Sequence, residues 1–537
     1  MAIMSPKDEI VEPKGADALP SEDMKSRSGY YVIFLLLLIN IFNYMDRVLP
    51  HVMAESFRRD LHLTDTQLGL LNGLAFTGVY ALFSLPLARL ADRWSAKGVL
   101  VMCLGTWSVL TSLGGFAQSF VQLALTRSGV AAGEAAATPA AHSLISNHYS
   151  EKRRGTMIAI YSLGASLGAM AGLIGGGRLA DVYGWRVAMT LMGIPGIVLA
   201  ILVAVTIRNV TPAKVNVKAE ASASFAGTLA FLARKASYRH MFAAMVTSSV
   251  CSMAFAAFNP IFLMRIHHLT MSRAGLVMGL IGGIATSLGM LTGGVIADRI
   301  GYHRPRWALW FPGLLHLFAA PFILATYFVP SLWMAIVGLI IPAFCAATLV
   351  MGYTAAQRLA LPHMRATTTA LLALGSTLIG GSLGPLIVGM VSDALSPIFG
   401  VDAIRYGLGV TAIFYVWAAV HFCLAGKAFE RDLALQPPSH SNIENEENEY
   451  VCKPGPCYHW RRRRNGSGDG PSAGWNRRID PGRSKRKRAC GGAGDTERGR
   501  YRCRIMCLRR HRFNVSEGTC CHGCTAHPWC ARAYCGH

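Results

Sequence analysis

Charge is scarce in this chain. Of its 537 residues only 15% are charged, while 52% are hydrophobic; a soluble globular chain carries about 25% charged residues. Too little polar surface remains to coat a water-exposed body of this size, so lipid is the expected solvent. Cysteine is equally sparse in the first 450 positions, where only Cys103, Cys251, Cys345 and Cys423 occur, each inside an apolar stretch. That distribution excludes a disulfide framework and any familiar metal spacing in the body. No GKS or GKT phosphate loop is present, which argues against ATP as an energy source. The first 29 residues contain no apolar core of the kind a cleavable signal needs. The first apolar stretch is therefore expected to be a true span that also directs insertion. No enzyme is expected.

What is present in quantity is long apolar segments. A bilayer core of about 30 Å needs roughly 20 such residues per helix. Twelve segments qualify, at 30–50, 67–88, 98–117, 120–146, 155–177, 187–207, 240–264, 274–297, 307–328, 331–356, 366–390 and 406–425. The expected fold is an all-α membrane protein with twelve transmembrane helices in two pseudo-symmetric six-helix halves. The domain plan is a cytoplasmic N-terminal tail (1–29), a first half (30–207), a cytoplasmic linker (208–239), a second half (240–430) and a C-terminal tail (431–537). With the N-terminus inside, the inner loops hold seventeen Lys and Arg and the outer loops seven. The bias places both termini in the cytoplasm, for a multi-pass protein of a bacterial inner membrane.

The net charge of +23 is concentrated at the C-terminus, where residues 451–537 hold twenty basic and five acidic residues. Ten cysteines lie there too. The abrupt shift to Arg, Gly, Cys, His and Trp, without apolar periodicity, is what an out-of-frame reading of GC-rich DNA produces. Disorder is expected throughout the tail from 431 to 537. Cys521, Cys524, His527 and Cys530 have zinc-like spacing, but the set is too compact for a familiar zinc module. No metal and no nucleic-acid partner is expected.

Charges inside the apolar segments carry the functional information. Asp46 and Arg47 sit side by side in the first span, and Arg127 and Glu134 lie seven residues apart in the fourth. An ionised group at the bilayer centre costs roughly 2.5–3.5 kcal/mol on insertion scales, so such groups are normally partnered and functional. At 1.5 Å per residue, Asp46 lies roughly 22 Å along the first helix and Arg127 roughly 10 Å down the fourth, which brings them to a similar depth. Asp46 and Glu134 are expected to exchange protons as a cavity opens to alternate sides. Arg47 and Arg127 are expected to hold those acids or to bind an anionic group of the substrate, as the planar guanidinium suits carboxylate and phosphate. A fixed salt bridge pinning the two helices is the competing reading. In the second half, Asn259, Tyr353 and Gln357 are candidate polar substrate contacts. His316 is expected to be a hydrogen-bonded packing residue, and Arg265 and Arg273 to sit at the membrane interface. Glycines recur at about every fourth position from Gly164 to Gly177 and from Gly275 to Gly283, which reads as close helix packing.

An internal repeat supports the division into halves. The loop after the second span reads ARLADRWSAKG, with Asp92 and Arg93; the loop after the eighth reads GVIADRIGYHR, with Asp298 and Arg299. These residues bring out a resemblance to the major facilitator superfamily, whose inner loops carry Gly-x-x-x-Asp-Arg-x-Gly. The second copy matches at Gly294, Asp298, Arg299 and Gly301; the first has Ala88 and Ser95 in place of both glycines. The resemblance implies that the loop acid caps a helix start in the opposite half and holds the outward-open state, so Asp92, Arg93, Asp298 and Arg299 are expected to form a conformational gate. The segments NYMDRVLP, DLHLTDTQLGLLNGLAF, GEAAATPAAHSLIS, GWR and GIPGIVLAIL resemble the Spinster-type branch over roughly residues 30–430. That likeness implies a proton and substrate site at Asp46, Arg47, Arg127 and Glu134, and an organic anion or lipid-like substrate. The anion:cation symporter branch shares the same charges and is the alternative; a non-transporting receptor or scaffold is a second. The resemblance implies no cofactor beyond a proton gradient, membrane lipid as a partner, and a monomer.

Overall fold

The computed structural model describes residues 27–93, 95–207, 225–301 and 303–435. All regular structure there is helical. The first half comprises α1 (Arg27–Leu61), α2 (Asp65–Asn72), α3 (Leu74–Arg93), α4 (Ala96–Gly114), α5 (Phe120–Glu134), α6 (Ala137–His148) and α7 (Glu151–Thr206). A short α8 (Phe225–Ala233) leads into α9 (Ala236–Ile266). Then follow α10 (Met271–Leu280), α11 (Thr286–Ile296), α12 (Trp307–Phe328), α13 (Leu332–Ala347), α14 (Val350–Leu359), α15 (Arg365–Gly375), α16 (Gly381–Phe399) and α17 (Ala403–Ala434).

Eight helical stretches among the described residues are long and apolar enough to cross a membrane. Two of them turn back on themselves. In α7 the chain reverses at Gly184, whose φ of 80° suits a residue without a side chain. The stretch from Thr367 to Ala434 turns at Gly400–Asp402, where Gly400 has φ 57°. The second and fourth predicted spans appear as broken pairs, α2 with α3 at Gly73 and α5 with α6 at Ala135–Ala136. The whole is consistent with twelve crossings. Within the segment expected as a linker, 208–239, α8 is helical and α9 starts at Ala236.

Glycine sets the helix spacing. Gly164, Gly168, Gly172 and Gly176 of α7 follow α1 turn by turn; a Cβ on Gly168 would come within 2.2 Å of the Ile41 carbonyl oxygen. Between the halves, a Cβ on Gly275 of α10 would meet the Leu173 carbonyl oxygen of α7 at 2.1 Å, and one on Gly69 of α2 the Pro385 carbonyl oxygen of α16 at 2.4 Å. Only small residues allow such backbone approach.

The buried core shows how the halves relate. At the face holding the start of α1, each half has its own cluster. One is built on Leu35, Ile39, Trp107 and Leu144, the other on Tyr238, Met241, Phe422 and Phe429. At the opposite, far face a single cluster joins Leu49, Phe57 and Trp185 to Phe258, Phe262 and Tyr327. The two halves therefore share a core at the far face and keep separate cores at the near one.

Candidate functional site in the first half

Helix α1 delivers Asn43, Asp46 and Arg47, and α5 delivers Arg127 and Glu134 two turns apart on one face. Arg47 Nε and Nη2 both donate to Glu134 Oε2, at 3.1 and 2.9 Å. The Glu134 side chain is fully buried while that of Arg47 is 26% exposed, so Arg47 is the member of the pair that meets open space. Aromatic rings surround it: Tyr44, Phe76 and Tyr80 have centroids 4.8, 5.4 and 5.0 Å from its guanidinium carbon. Phe76 also lies 4.2 Å from the guanidinium of Arg127, so the two cations share one ring. Ring faces stabilise a desolvated cation by about 2 kcal/mol.

The expected meeting of first and fourth spans is thus present, but its wiring is crossed. Arg127 does not bond the Asp46 carboxylate; its Nη1 and Nη2 donate to the backbone oxygens of Asp46 and Arg47, at 3.0 and 2.6 Å. Asp46 is buried, and its Oδ1 has no hydrogen-bond partner. The same holds for Glu134 Oε1 and Arg127 Nε. Beside Asp46 lies a void of about 10 Å³, bordered by Pro50, Thr111 and Arg127. That is about the space one water requires. Two buried acids thus each keep an oxygen without a hydrogen-bond partner, and one of them is paired to a partly exposed arginine.

The second-half candidates do not come together with this cluster. Asn259 is buried and accepts from the Tyr327 hydroxyl at 2.8 Å. Both line a cavity of about 310 Å³ whose other walls are mainly apolar, including Phe255, Ile281, Leu339 and Ala343. Tyr353 is half-buried against the near-face core of its own half. Gln357 is exposed, donates to Thr369 at 3.1 Å, and lines a separate cavity of about 480 Å³ with Asp298, Arg358 and Arg365. His316 is buried with both ring nitrogens engaged, by Ser248 at 2.6 Å and the Pro312 carbonyl at 2.7 Å. It is a packing residue, as the sequence suggested.

One expectation is overturned. Arg265 does not sit at the interface but is buried, and its fork binds two acids of the other half. It donates to Glu55 at 2.8 Å and to Asp65 at 2.8 and 2.9 Å. Ser392 also donates to Asp65, at 2.6 Å. Nearby, two helix starts are capped across the halves. Asp393, near the end of α16, accepts from the Asp65 and Thr66 amides at 2.9 and 2.7 Å; Asp181 of α7 accepts from the Met271 and Ser272 amides at 3.0 and 2.7 Å. An acid at a helix N-terminus satisfies free N–H groups and meets the positive end of the helix dipole. The capped starts at Asp65 and Met271 are separated by the same interval as Asp92 and Asp298, so the two caps are repeats of one device. The far face is therefore held by polar bonds as well as by the shared core.

Residues 36–385 and 241–467 match the family description Major Facilitator Superfamily. The chain belongs to the major facilitator superfamily. It is 36% identical to an MFS-type efflux pump of Mycolicibacterium smegmatis, across 76% of this chain and 95% of the pump. It is 25% identical to protein spinster homolog 1 of Xenopus tropicalis, across 76% and 82% of the respective chains. A solved bacterial homologue of the human lysosomal transporter Spinster, inward-facing and unoccupied, superposes with a TM-score of 0.70 at 28% identity, covering 77% of this chain and all of that one. The protein is a Spinster-like, multi-pass membrane transporter rather than an enzyme.

For this transporter, the family's inner-loop gate can be followed only in part. The side chains of Asp92 and Arg93 lie outside the described residues, as do the tail residues 436–537 with their cysteines. Asp298 and Arg299 are exposed in a π-helical turn, Ala297–Gly301. Among the described residues neither bonds the opposite half. The cross-half caps lie instead at the far face, which fits a molecule open at the near one. Sequence reasoning missed Glu55, Asp65, Asp181, Asp393 and the ring of Tyr44, Phe76 and Tyr80. A usable signal existed for the acids, since Asp65 and Asp181 lie close to predicted span ends.

Proposed function

We propose that this protein is a proton-coupled secondary transporter that moves an organic anion or an amphipathic, lipid-like molecule by alternating access. The carrying observation is the Arg47–Glu134 pair, with its acid sealed in the protein and its arginine partly exposed. An anionic substrate that takes Arg47 releases Glu134 to accept a proton, and a proton on Glu134 frees Arg47 for substrate. Asp46, buried beside them with an unpartnered oxygen, is the second proton carrier. Arg127 would hold the frame of the site. The mainly apolar 310 Å³ cavity in the second half supports a substrate with an apolar portion, for which Asn259 offers a polar contact. The near face is taken as cytoplasmic, in line with the basic loops, in a bacterial inner membrane. A monomer using no cofactor but the proton gradient suffices.

Reconstitution in proteoliposomes tests this directly. An imposed pH gradient should drive uptake or efflux of anionic amphiphiles, and Asp46→Asn should remove the dependence on the gradient while leaving exchange of substrate at equal pH. Gradient dependence that persists in Asp46→Asn rejects Asp46 as a proton carrier.

A further inference from the structure

Pro50 lies inside α1, four residues after Asp46. Proline has no N–H, so the carbonyl four residues earlier loses its helical donor. That carbonyl belongs to Asp46, and it is the one Arg127 Nη1 reaches at 3.0 Å; Nη2 takes the next carbonyl, of Arg47, at 2.6 Å. The geometry points to Arg127 as a positioning residue that supplies from α5 the donor Pro50 removes from α1. The Pro50 turn of α1 is thereby a joint closed by another helix.

Three observations set this apart from charge neutralisation. A guanidinium present to balance Asp46 would aim at carboxylate oxygens, where charge-assisted bonds are stronger. Here Asp46 Oδ1 has no partner while Arg127 serves main-chain oxygens. Arg127 is itself buried, and Phe76 covers its face at 4.2 Å, so its fork has few other directions. Finally, the joint divides α1 into two working parts. On one side lie Asp46 and Arg47; on the other is Glu55, held by Arg265 of the second half at 2.8 Å. A bend at Pro50 moves the charged cluster relative to the far-face bonds. This consequence for transport rests on the proposed function, whereas the joint itself does not.

The test is a double-mutant cycle on the full chain in lipid nanodiscs, read by amide hydrogen exchange over residues 51–57. Arg127→Gln should speed exchange there about tenfold, as expected when a hydrogen bond worth about 1–1.5 kcal/mol is lost. Pro50→Ala returns an N–H to α1, so Pro50→Ala/Arg127→Gln should exchange at the rate of Pro50→Ala alone. An Arg127→Gln effect that is the same with Ala at position 50 overturns the joint, as does no effect of Arg127→Gln with Pro50 present. If Arg127→Gln does not fold, Arg127→Lys takes its place, keeping the charge but losing the fork; its slowing by Pro50→Ala is the supporting result and independence from residue 50 the opposing one. A transport readout separates positioning from ligand binding: Pro50→Ala should restore the maximal rate lost in Arg127→Gln. A KM that stays raised in the double variant assigns Arg127 to the substrate instead. Exchange in this cycle requires no proton coupling, so failure of the functional proposal and failure of the joint give different results.

Discussion

The two halves share one architecture but put it to different use. In the first, α1 and α5 carry four ionisable groups at membrane depth, two of them with free oxygens. In the second, Tyr327 is bonded to Asn259, and His316 to Ser248 and the Pro312 carbonyl. The cavity beside them is walled mainly by apolar atoms. Pseudo-symmetry thus repeats helix paths and end caps, while the cluster of mid-span charges lies in one half. Under the proposed function, the charged half would respond to protons while the other half would shape the space for cargo.

The comparison can be broken most severely at Glu134. Replacing it with Gln should abolish gradient-driven transport, since Arg47 loses its acid and the site loses a proton carrier; uptake into proteoliposomes under a pH jump reads this. If Glu134→Gln keeps full coupling, Glu134 is rejected as a proton carrier and Asp46 alone is left to the first half. The next largest effect lies where the halves meet. Arg265→Ala removes the one buried cation from Glu55 and Asp65, leaving them the more exposed Arg58 and Arg59 and the Ser392 hydroxyl, and loss of a buried partner costs at most about 3–5 kcal/mol. A lowered melting temperature and greater labelling of a cysteine placed at the far face are expected; Arg265→Lys should recover part of the loss.

Asn259→Ala sharpens the contrast from the other side. It strands the buried Tyr327 hydroxyl at a cost of about 1–3 kcal/mol, and it should change substrate preference while leaving the response to a pH gradient intact. Loss of proton coupling in that variant would contradict the division of labour. The smallest effect is expected at Asp298. Exposed in this state, Asp298→Asn should leave thermal stability unchanged but lower the fraction of molecules open at the far face, measured by spin-label distances across the inner loops.

Much of this protein could be read from its residues in order. Apolar segments of bilayer length gave the helices, and lone charges within them marked Asp46, Arg47, Arg127 and Glu134, because a charge in hydrocarbon stands out against its neighbours. Four-residue glycine spacing indicated which helix faces pack closely. Breaks inside helices were harder, as at Gly73, where one segment becomes α2 and α3. The second-half contacts were not legible: Asn259, Tyr353 and Gln357 look alike as polar residues in apolar runs, yet they end in three different surroundings.

Local order along the chain therefore determined the solvent, the helices and the identity of the buried charges, since each depends only on neighbours a few residues away, and comparison of two distant loops added the two-fold repeat. The tertiary structure decided the partners. Arg127 went to the Asp46 oxygen freed by Pro50 and to the next one along, Arg265 crossed to Glu55 and Asp65, and Asp181 and Asp393 capped helices of the opposite half. The physical reason is that a guanidinium or carboxylate in a low-dielectric interior binds whichever complementary group folding brings within about 3 Å, and that proximity links residues as many as 328 positions apart.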